Sequence, residues 1–311
     1  MTISVVIPAY NSAATLAAAI DSALSQTRPP DEIIVLDDGS TDNTKELVSG
    51  YGERIRYFYQ PNGGLAAARN RGTELASGDW VAYLDADDMW RPDKLALQER
   101  QVQARPEAAL VYTNATVLGL DGEGEIYADP ETIWPELRCR NLFAASSTMA
   151  HRQKLMELGG FNPKLRVCED WDMWVRLRRL YPFTAVPEPV TIYRQTQGSL
   201  SSNAERMLAG AASIRESTLL AGLSSWRKPL WRRRIDATQF MHAAEMVRES
   251  GRRLERAYLL RSLKAWPLPT LCARRYLSLA RNLLGMRIYK SVARLFSSPS
   301  GTRTADSAGT R

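Results

Sequence analysis

Three carboxylates follow directly on an apolar run in Trp80-Val81-Ala82-Tyr83-Leu84-Asp85-Ala86-Asp87-Asp88. A hydrophobic run of this length, entered from Gly78-Asp79 and left on acids, reads as a buried strand, and open α/β sheets place ligands at the ends of such strands. In an extended segment Asp85 and Asp87 point to one side and Asp88 to the other. Like charges this close repel unless a cation lies among them. Their oxygens suit a hard divalent ion such as Mg²⁺ or Mn²⁺ that also holds a phosphate. A solvated acidic turn or helix cap is the competing reading of the cluster taken alone. A second acidic group, Glu169-Asp170 before Trp171, is in isolation the acid pair of a helix N-terminus.

The elements that must position these acids alternate. Ile3–Ile7 is a β-branched run that ends at Pro8-Ala9-Tyr10-Asn11-Ser12. Leu16, Ala19, Ile20, Ala23 and Leu24 recur at helical spacing over 13–25, with Ser12 as the expected N-cap. Glu32–Leu36 is a second buried strand that also ends on acids, Asp37-Asp38-Gly39-Ser40-Thr41-Asp42. A helix over 43–50, a strand over 55–59 and an Ala-rich helix over 65–76 follow. This βαβαβ order implies a parallel sheet with right-handed crossovers.

Beyond the acidic cluster, Arg91-Pro92-Asp93 opens a helix that runs to Ala104, with Pro92 near its first turn, and 109–118 is a strand. Two short elements lie within 142–149, and a helix over 153–158 is closed by Gly159-Gly160. The acids from Glu169 to Asp172 open a helix over 173–180, and 187–194 is an edge-like strand. From 205 onward the pattern is helical, with a hairpin over 241–267 turning at Gly251. The Ser/Gly/Thr-rich residues 297–311 are expected to be disordered.

Composition bounds the class. The chain has 311 residues, 44% hydrophobic and 24% charged, which is globular and large enough for one large domain with an appendage. Cys139, Cys168 and Cys272 have neither disulfide-framework nor zinc-ligand spacing, so a reducing compartment fits. The N-terminus lacks a basic leader and no window reaches a membrane span, so a cytoplasmic location is expected. Residues 205–311 carry 21 Lys and Arg against 7 Asp and Glu, while the first 204 carry 20 against 27. An acidic globule of net −7 therefore bears a basic appendage of net +14. That appendage is either a solvated helical face or a peripheral contact with the cytoplasmic face of the membrane through Trp226, Trp231 and Trp266 beside Arg227, Lys228 and Arg232–Arg234. No recognition motif for nucleic acid accompanies the charge.

The ordered set Val5–Asn11, Asp37–Asp42, Asn62-Gly63-Gly64 with Ala67–Asn70, Leu84–Asp88, Gly159-Gly160-Phe161 and Glu169-Asp170-Trp171 strongly resembles the family 2 glycosyltransferases over residues 1–204. The resemblance implies an α/β GT-A fold, a Rossmann-like mixed sheet flanked by helices, here with an all-α C-terminal appendage. It also implies a nucleotide-sugar donor, a divalent metal, Mn²⁺ or Mg²⁺, and inversion at the anomeric carbon. The expected division is 1–204 for this domain, with a nucleotide half over 1–112 and an acceptor half over 113–204. A basic helical region over 205–296 and the tail over 297–311 complete it.

Roles carried by the resemblance fall on particular residues. Pro8, Ala9, Tyr10 and Asn11 would hold the base, with Tyr10 stacking, and Asp38 would accept from a uracil or thymine N–H; an ordinary half-buried aromatic and a turn-forming acid are the competing readings of Tyr10 and Asp38. Asp85, Ala86 and Asp87 form the D-x-D motif, contacting ribose and metal, and Asp88 is the other candidate metal ligand. Arg69 would add a fixed charge near the nucleotide or else pair with a neighbouring acid. Asp170 matches the family's base, with Glu169 beside it, and Trp171 and Trp174 would shape the acceptor site, with core packing the alternative for Trp174 at its helical spacing. Many relatives carry a histidine near the loop that here reads Tyr193-Arg194-Gln195-Thr196-Gln197-Gly198-Ser199, which has none; Arg194 and Ser199 remain as candidates to close over the diphosphate. His151 and His242, the only histidines, lie in no ligand constellation and read as structural or surface residues.

The function so implied is transfer of a sugar from a UDP- or dTDP-linked donor to a hydroxyl of a saccharide or lipid-linked saccharide in surface polysaccharide biosynthesis. The alternative is an inactive nucleotide-sugar-binding or scaffold protein of the same fold. A nucleotidyltransferase would need a Gly-rich basic loop after the first strand, which Pro8–Ala14 does not supply.

Overall fold

The computed structural model describes residues 1–119, 122–126, 133–195, 203–248 and 251–268, with positions 276, 278, 279, 282 and 283. The expected tail over 297–311, Cys272 and Ser199 lie outside these residues.

The chain begins β1 (Ile3–Ala9), α1 (Leu16–Leu24), β2 (Glu32–Asp37), α2 (Thr44–Ser49), β3 (Arg56–Tyr59), α3 (Leu65–Leu75) and β4 (Trp80–Tyr83). β1 lies between β2 and β4, β3 flanks β2, and all four run parallel. Alternation splits the core into two layers. Val5 and Ile7 meet Leu16 and Ile20 on one face, and Val6 meets Ala66 and Tyr83 on the other.

Then come β5 (Met89–Trp90), α4 (Lys94–Ala104), β6 (Leu110–Gly119), β7 (Gly122–Ile126), a short kinked α5 (Ile133–Glu136), β8 (Thr148–His151), α6 (Arg152–Glu157), α7 (Glu169–Arg178) and β9 (Phe183–Arg194). They complete a nine-stranded mixed sheet in the order β3-β2-β1-β4-β8-β6-β9-β5, with β7 paired to β6.

Several boundaries differ from expectation. β1 continues through Pro8 and Ala9, because β4 has already ended beyond Val6 and Tyr83 on the side where the proline lacks its N–H. Ser12 is not the cap of α1: its carbonyl accepts from Thr15 and Leu16 in a preceding turn. Pro92 lies outside α4, whose N-cap is Asp93. The acids from Glu169 are inside α7, which starts there rather than at 173. β9 is longer than the expected edge strand and is paired on both sides, with β6 and with β5. Its prolines are tolerated because Pro187 and Pro189 sit at a register shift opposite Asn114, whose Nδ2 donates to the Pro187 carbonyl at 2.5 Å.

The helical part comprises α8 (Ala204–Ile214), a π-helical turn (Arg215–Leu219), α9 (Lys228–Met246) and α10 (Arg252–Ala265). The hairpin at Gly251 is present, but its first helix starts at 228, because Pro229 occupies the first turn, where proline is compatible with a helix. Ala211, Ile214, Leu219, Leu220 and Ile235 join the core layer that holds Tyr83, Trp171 and Trp174. Of the three tryptophans grouped with basic residues, Trp226 is 77% exposed, whereas Trp231 packs on that core with Arg138 and Arg234 at its ring. Among the described residues no helix is long and apolar enough to cross a membrane.

α3 reaches β1 through Gly72: a Cβ there would lie 2.4 Å from Cγ1 of the fully buried Val6. Alanine would gain about 1 kcal/mol of helix propensity, but overpacking a rigid β-branched neighbour costs about 1–3 kcal/mol. Gly72→Ala is therefore expected to lower stability in urea denaturation; a raised midpoint would show that α3 can shift away from the sheet.

Candidate active site

Because β1, β2 and β4 are parallel, their C-terminal ends bring Tyr10, Asp38 and Asp85 to one edge of the sheet. Pro8 and Ala9 are buried in β1, and Tyr10 beyond them is 53% exposed. Asn11 adopts a left-handed φ of 49°, a conformation asparagine tolerates. Its Oδ1 accepts from the Thr41 N–H at 2.8 Å and its own N–H donates to Ser40 Oγ at 2.9 Å, so the loops after β1 and β2 are laced together.

Asp38 is buried, and its carboxylate already accepts three hydrogen bonds: from Gln60 Nε2 at 2.7 Å, Gly63 N at 2.9 Å and Gly64 N at 2.8 Å. In this structure it fastens the Asn62-Gly63-Gly64 turn. Gly64 has a φ of 89°, and a Cβ there would stand 3.1 Å from Arg166 Nη1, so glycine suits both the backbone and the approach.

At the end of β4, Asp85 and Asp87 are half-buried, while Ala86 and Asp88 are buried. Arg69 on α3 is only 1% exposed. Its Nη2 donates to Asp85 Oδ1 and its Nη1 to Glu169 Oε1, both at 2.6 Å. The expected pairing with neighbouring acids is therefore present, and the guanidinium lies buried between the two carboxylates.

Asp88 accepts from Ser146 Oγ at 2.5 Å and from the Arg194 N–H at 2.9 Å. Ser146 Oγ in turn accepts the Asp85 N–H at 3.0 Å, and the Ser146 carbonyl accepts Trp90 Nε1 at 2.8 Å.

α7 begins after Cys168, whose φ of 64° turns the chain sharply into the helix. Asp170 follows in the first turn, half-buried, its Oδ1 accepting from the Trp171 N–H at 2.7 Å and its Oδ2 from Asn141 Nδ2 at 2.9 Å. Asn70 grips the turn that leads towards α7: its Nδ2 donates to the Phe161 carbonyl at 2.8 Å and its Oδ1 accepts the Phe161 N–H at 2.7 Å. Asp172 joins α7 to the C-terminal helices by accepting from Thr218 Oγ1. Trp171 and Trp174 do not shape an open site. Both are buried, with Trp174 among Tyr83, Phe143 and Phe161, because the inward face of α7 must close the core.

The electrostatics follow from crowding. Burial would lower the pKa of Arg69, but Asp85, Glu169 and Asp170 outweigh it and hold the guanidinium charged. Burial and then Asp85 push Asp87 up; burial, Asp85 and Asp87 push Asp88 well up. Glu169 and Asp170 are also raised, chiefly by burial, against the pull of Arg69. Negative charge thus exceeds the one buried cation that meets it.

Sequence reasoning missed Asn141 and Ser146. Both lie in an irregular stretch without periodicity, where no local pattern marks a side chain that reaches another element. Asn70 and Gly160-Phe161 were visible as motifs, but not that one grips the other. Replacing Arg69 by alanine would leave Glu169 buried and unpaired, so a loss of about 3–5 kcal/mol is expected in urea denaturation. Adding Glu169→Gln should recover part of it; no recovery would mean that Glu169 is not the group left stranded.

Comparison with known proteins gives the site its context. The family profile described as Glycosyl transferase family 2 matches residues 4–130. The Bacillus subtilis glycosyltransferase TuaG, named for teichuronic acid biosynthesis, is 31% identical over 210 residues, spanning 65% of this chain and 82% of its own. Chondroitin synthase of Pasteurella multocida is 34% identical over 190 residues, 58% of this chain but 19% of its own length. This chain also spans only 32% of an uncharacterized glycosyltransferase of Rickettsia felis, so it covers a third or less of several curated relatives.

Among solved structures, residues 1–349 of S. aureus TarS with UDP-GlcNAc superpose with a TM-score of 0.60 at 17% identity, covering 95% of this chain and 92% of that one. The Pyrobaculum calidifontis mannosyltransferase with GDP-Man and Mn²⁺ superposes with a TM-score of 0.61 at 21% identity, covering 94% and 83%. These likenesses show a shared GT-A fold. The 31% identity to TuaG over 82% of its length, together with the profile match, shows that the chain belongs to glycosyl transferase family 2.

Proposed function

We propose that this protein is an inverting glycosyltransferase that moves a sugar from a UDP- or dTDP-linked donor to a hydroxyl of a saccharide or lipid-linked saccharide acceptor in surface polysaccharide biosynthesis. The observation that carries the reading is the buried Arg69 bridge, which joins the strand-end acids at Asp85 to the first turn of α7 at Glu169-Asp170. Names of relatives support it in kind: TuaG by its pathway, and the two solved neighbours by the nucleotide sugars bound to them.

In this reading Tyr10, exposed beyond β1, stacks on the base. Pro8, Ala9 and Asn11 frame that platform, and Asp38 shapes its far wall through the loop it holds, contacting the base where its remaining lone pair allows. Asp85 and Ala86 border the ribose.

A divalent cation fits the donor set, because Asp87 and Asp88 are oxygen ligands whose proton affinity is raised by burial and then by the neighbouring carboxylates. Among the described residues no three His, Cys, Asp or Glu side chains converge on one point. Asp87, the more open of the two, and Asp88 would hold Mn²⁺ or Mg²⁺, which when bound neutralises charge developing on the leaving diphosphate.

Asp170 removes the proton of the attacking hydroxyl as the new glycosidic bond forms at the anomeric carbon. The bond to the diphosphate breaks on the opposite face, and its electron pair leaves with the nucleoside diphosphate. A carboxylate raised above its usual range is better matched to this task near neutral pH. Glu169 stays paired with Arg69 and keeps that charge in place.

The division into a donor half over 1–112, an acceptor half over 113–204 and a basic helical region over 205–296 is part of this proposal. So is a peripheral position on the cytoplasmic membrane face, supported by exposed Trp226 and Leu230 among Arg227, Lys228 and Arg233.

Incubation with Mn²⁺ and a panel including UDP-GlcNAc, UDP-glucose, dTDP-rhamnose and GDP-mannose should release nucleoside diphosphate with at least one donor. Tight nucleotide binding without release from any donor would favour an inactive binder. Asp170→Asn should lower turnover by a factor on the order of 10² or more while nucleotide binding persists. Asp87→Ala should weaken Mn²⁺-dependent UDP binding in calorimetry; unchanged binding would move the ligand role to Asp88 or Asp85.

A further inference from the structure

We propose that Asn141 is the positioning residue for the Asp170 carboxylate, setting from outside α7 the orientation in which it meets the acceptor hydroxyl. The proposal rests on the reading of Asp170 as the base.

The two carboxylate oxygens are held from different elements. Oδ1 takes the Trp171 N–H of its own helical turn at 2.7 Å, and Oδ2 takes the Asn141 amide at 2.9 Å. A carboxylate bonded only within its own turn could still rotate about its side-chain torsions. The second donor, fixed elsewhere, removes that freedom.

The segment leading into Asn141 is tethered at Arg138 and Cys139. Arg138 Nη1 donates to the Leu219 carbonyl at 2.6 Å, and Gln239 Nε2 donates to the Cys139 carbonyl at 2.5 Å. The helices after residue 204 therefore anchor the segment that carries the amide. The same helices hold α7 through Thr218 and Asp172, so both donors to Asp170 are referenced to one frame.

The amide has one use here. Its Oδ1 is buried and has no hydrogen-bond partner among the described residues, a cost that an orientation chosen for folding alone would avoid. Turned the other way, that oxygen would face a carboxylate, so the charge of Asp170 dictates which end of the amide is presented.

The charged and titratable groups around Asp170 are Arg69 from α3, Asp85 from the end of β4, Glu169 from its own turn and Cys168 just before it. Arg69 is already shared by Asp85 and Glu169. Asn141 thus supplies a neutral donor that orients the carboxylate without adding a second cation, which would hold the base too firmly ionised to accept a proton.

The test is a ¹³C titration of the full chain labelled at aspartate carboxyls, with the Asp170 signal identified by its loss in Asp170→Asn. The amide bonds the charged form, so its removal lets the carboxyl keep its proton to higher pH. Asn141→Ala should move the Asp170 midpoint upward, and Asn141→Asp, which sets a second carboxylate against it, should move it further. With UDP-GlcNAc and Mn²⁺ as probe, Asn141→Ala should lower kcat roughly tenfold with little change in donor KM, as expected for a lost hydrogen bond to a charged group.

An unmoved midpoint in folded Asn141→Ala overturns the proposal, whatever happens to turnover or melting temperature. If Asp170→Asn itself keeps near-normal transfer, the assignment of the base fails instead. The midpoint then still reports whether Asn141 orients that carboxylate.

Discussion

The site depends on one buried guanidinium. Arg69 has lost its water and is held by Asp85 from the end of β4, 16 residues on along the chain, and by Glu169 from the start of α7, 100 residues on. Breaking either pair would strand a charge away from solvent, which costs more than the pair contributes over a neutral core. That asymmetry makes the bridge a constraint on geometry more than a source of stability. It fixes the separation between the acidic cluster at the end of β4 and the acids in the first turn of α7.

Around this bridge, polar side chains spend their bonds on backbone. Asp38 holds the Gly63-Gly64 turn, Asn11 laces two loops together, Asn70 grips Phe161, and Arg176 reaches the carbonyls of Leu158 and Gly160. Loops that carry chemistry must run at the surface, where few apolar contacts restrain them. Short side chains bonded to main-chain groups restrain them instead. Ser146 does the same for the acidic cluster, its hydroxyl donating to the Asp88 carboxylate and accepting the Asp85 N–H.

The basic C-terminal helices belong to this frame as well as to the surface. Their outer side gathers arginine and lysine beside Trp226, while their inner side contributes Ile214, Leu219 and Ile235 to the main core. Through Thr218 and Gln239 they reach the helix and the segment that flank Asp170. An appendage distinguished in sequence by charge is thus, in packing, a wall behind one half of the site.

The sequence by itself determined the alternating strands and helices of the first half and the places where strands end on acids. Apolar period and turn chemistry act over a few residues and need no tertiary context. The strand-end motifs were legible for the same reason: each is contiguous. Tertiary structure decided what the side chains at those positions do. Asp38 reads in sequence as an acceptor for a base or as the former of its own local turn, yet the turn its carboxylate fastens lies 25 residues away. Trp171 and Trp174 read as candidates for a binding wall, yet both close the core. β5 is two residues long, too short to carry a period, and exists because β9 offers it an edge. Asn141 and Ser146 carry no local signal at all, since their importance lies in partners 29 and 58 residues distant. Local pattern fixes where a strand ends; only folding brings the distant donor that decides what the residue at its end can do.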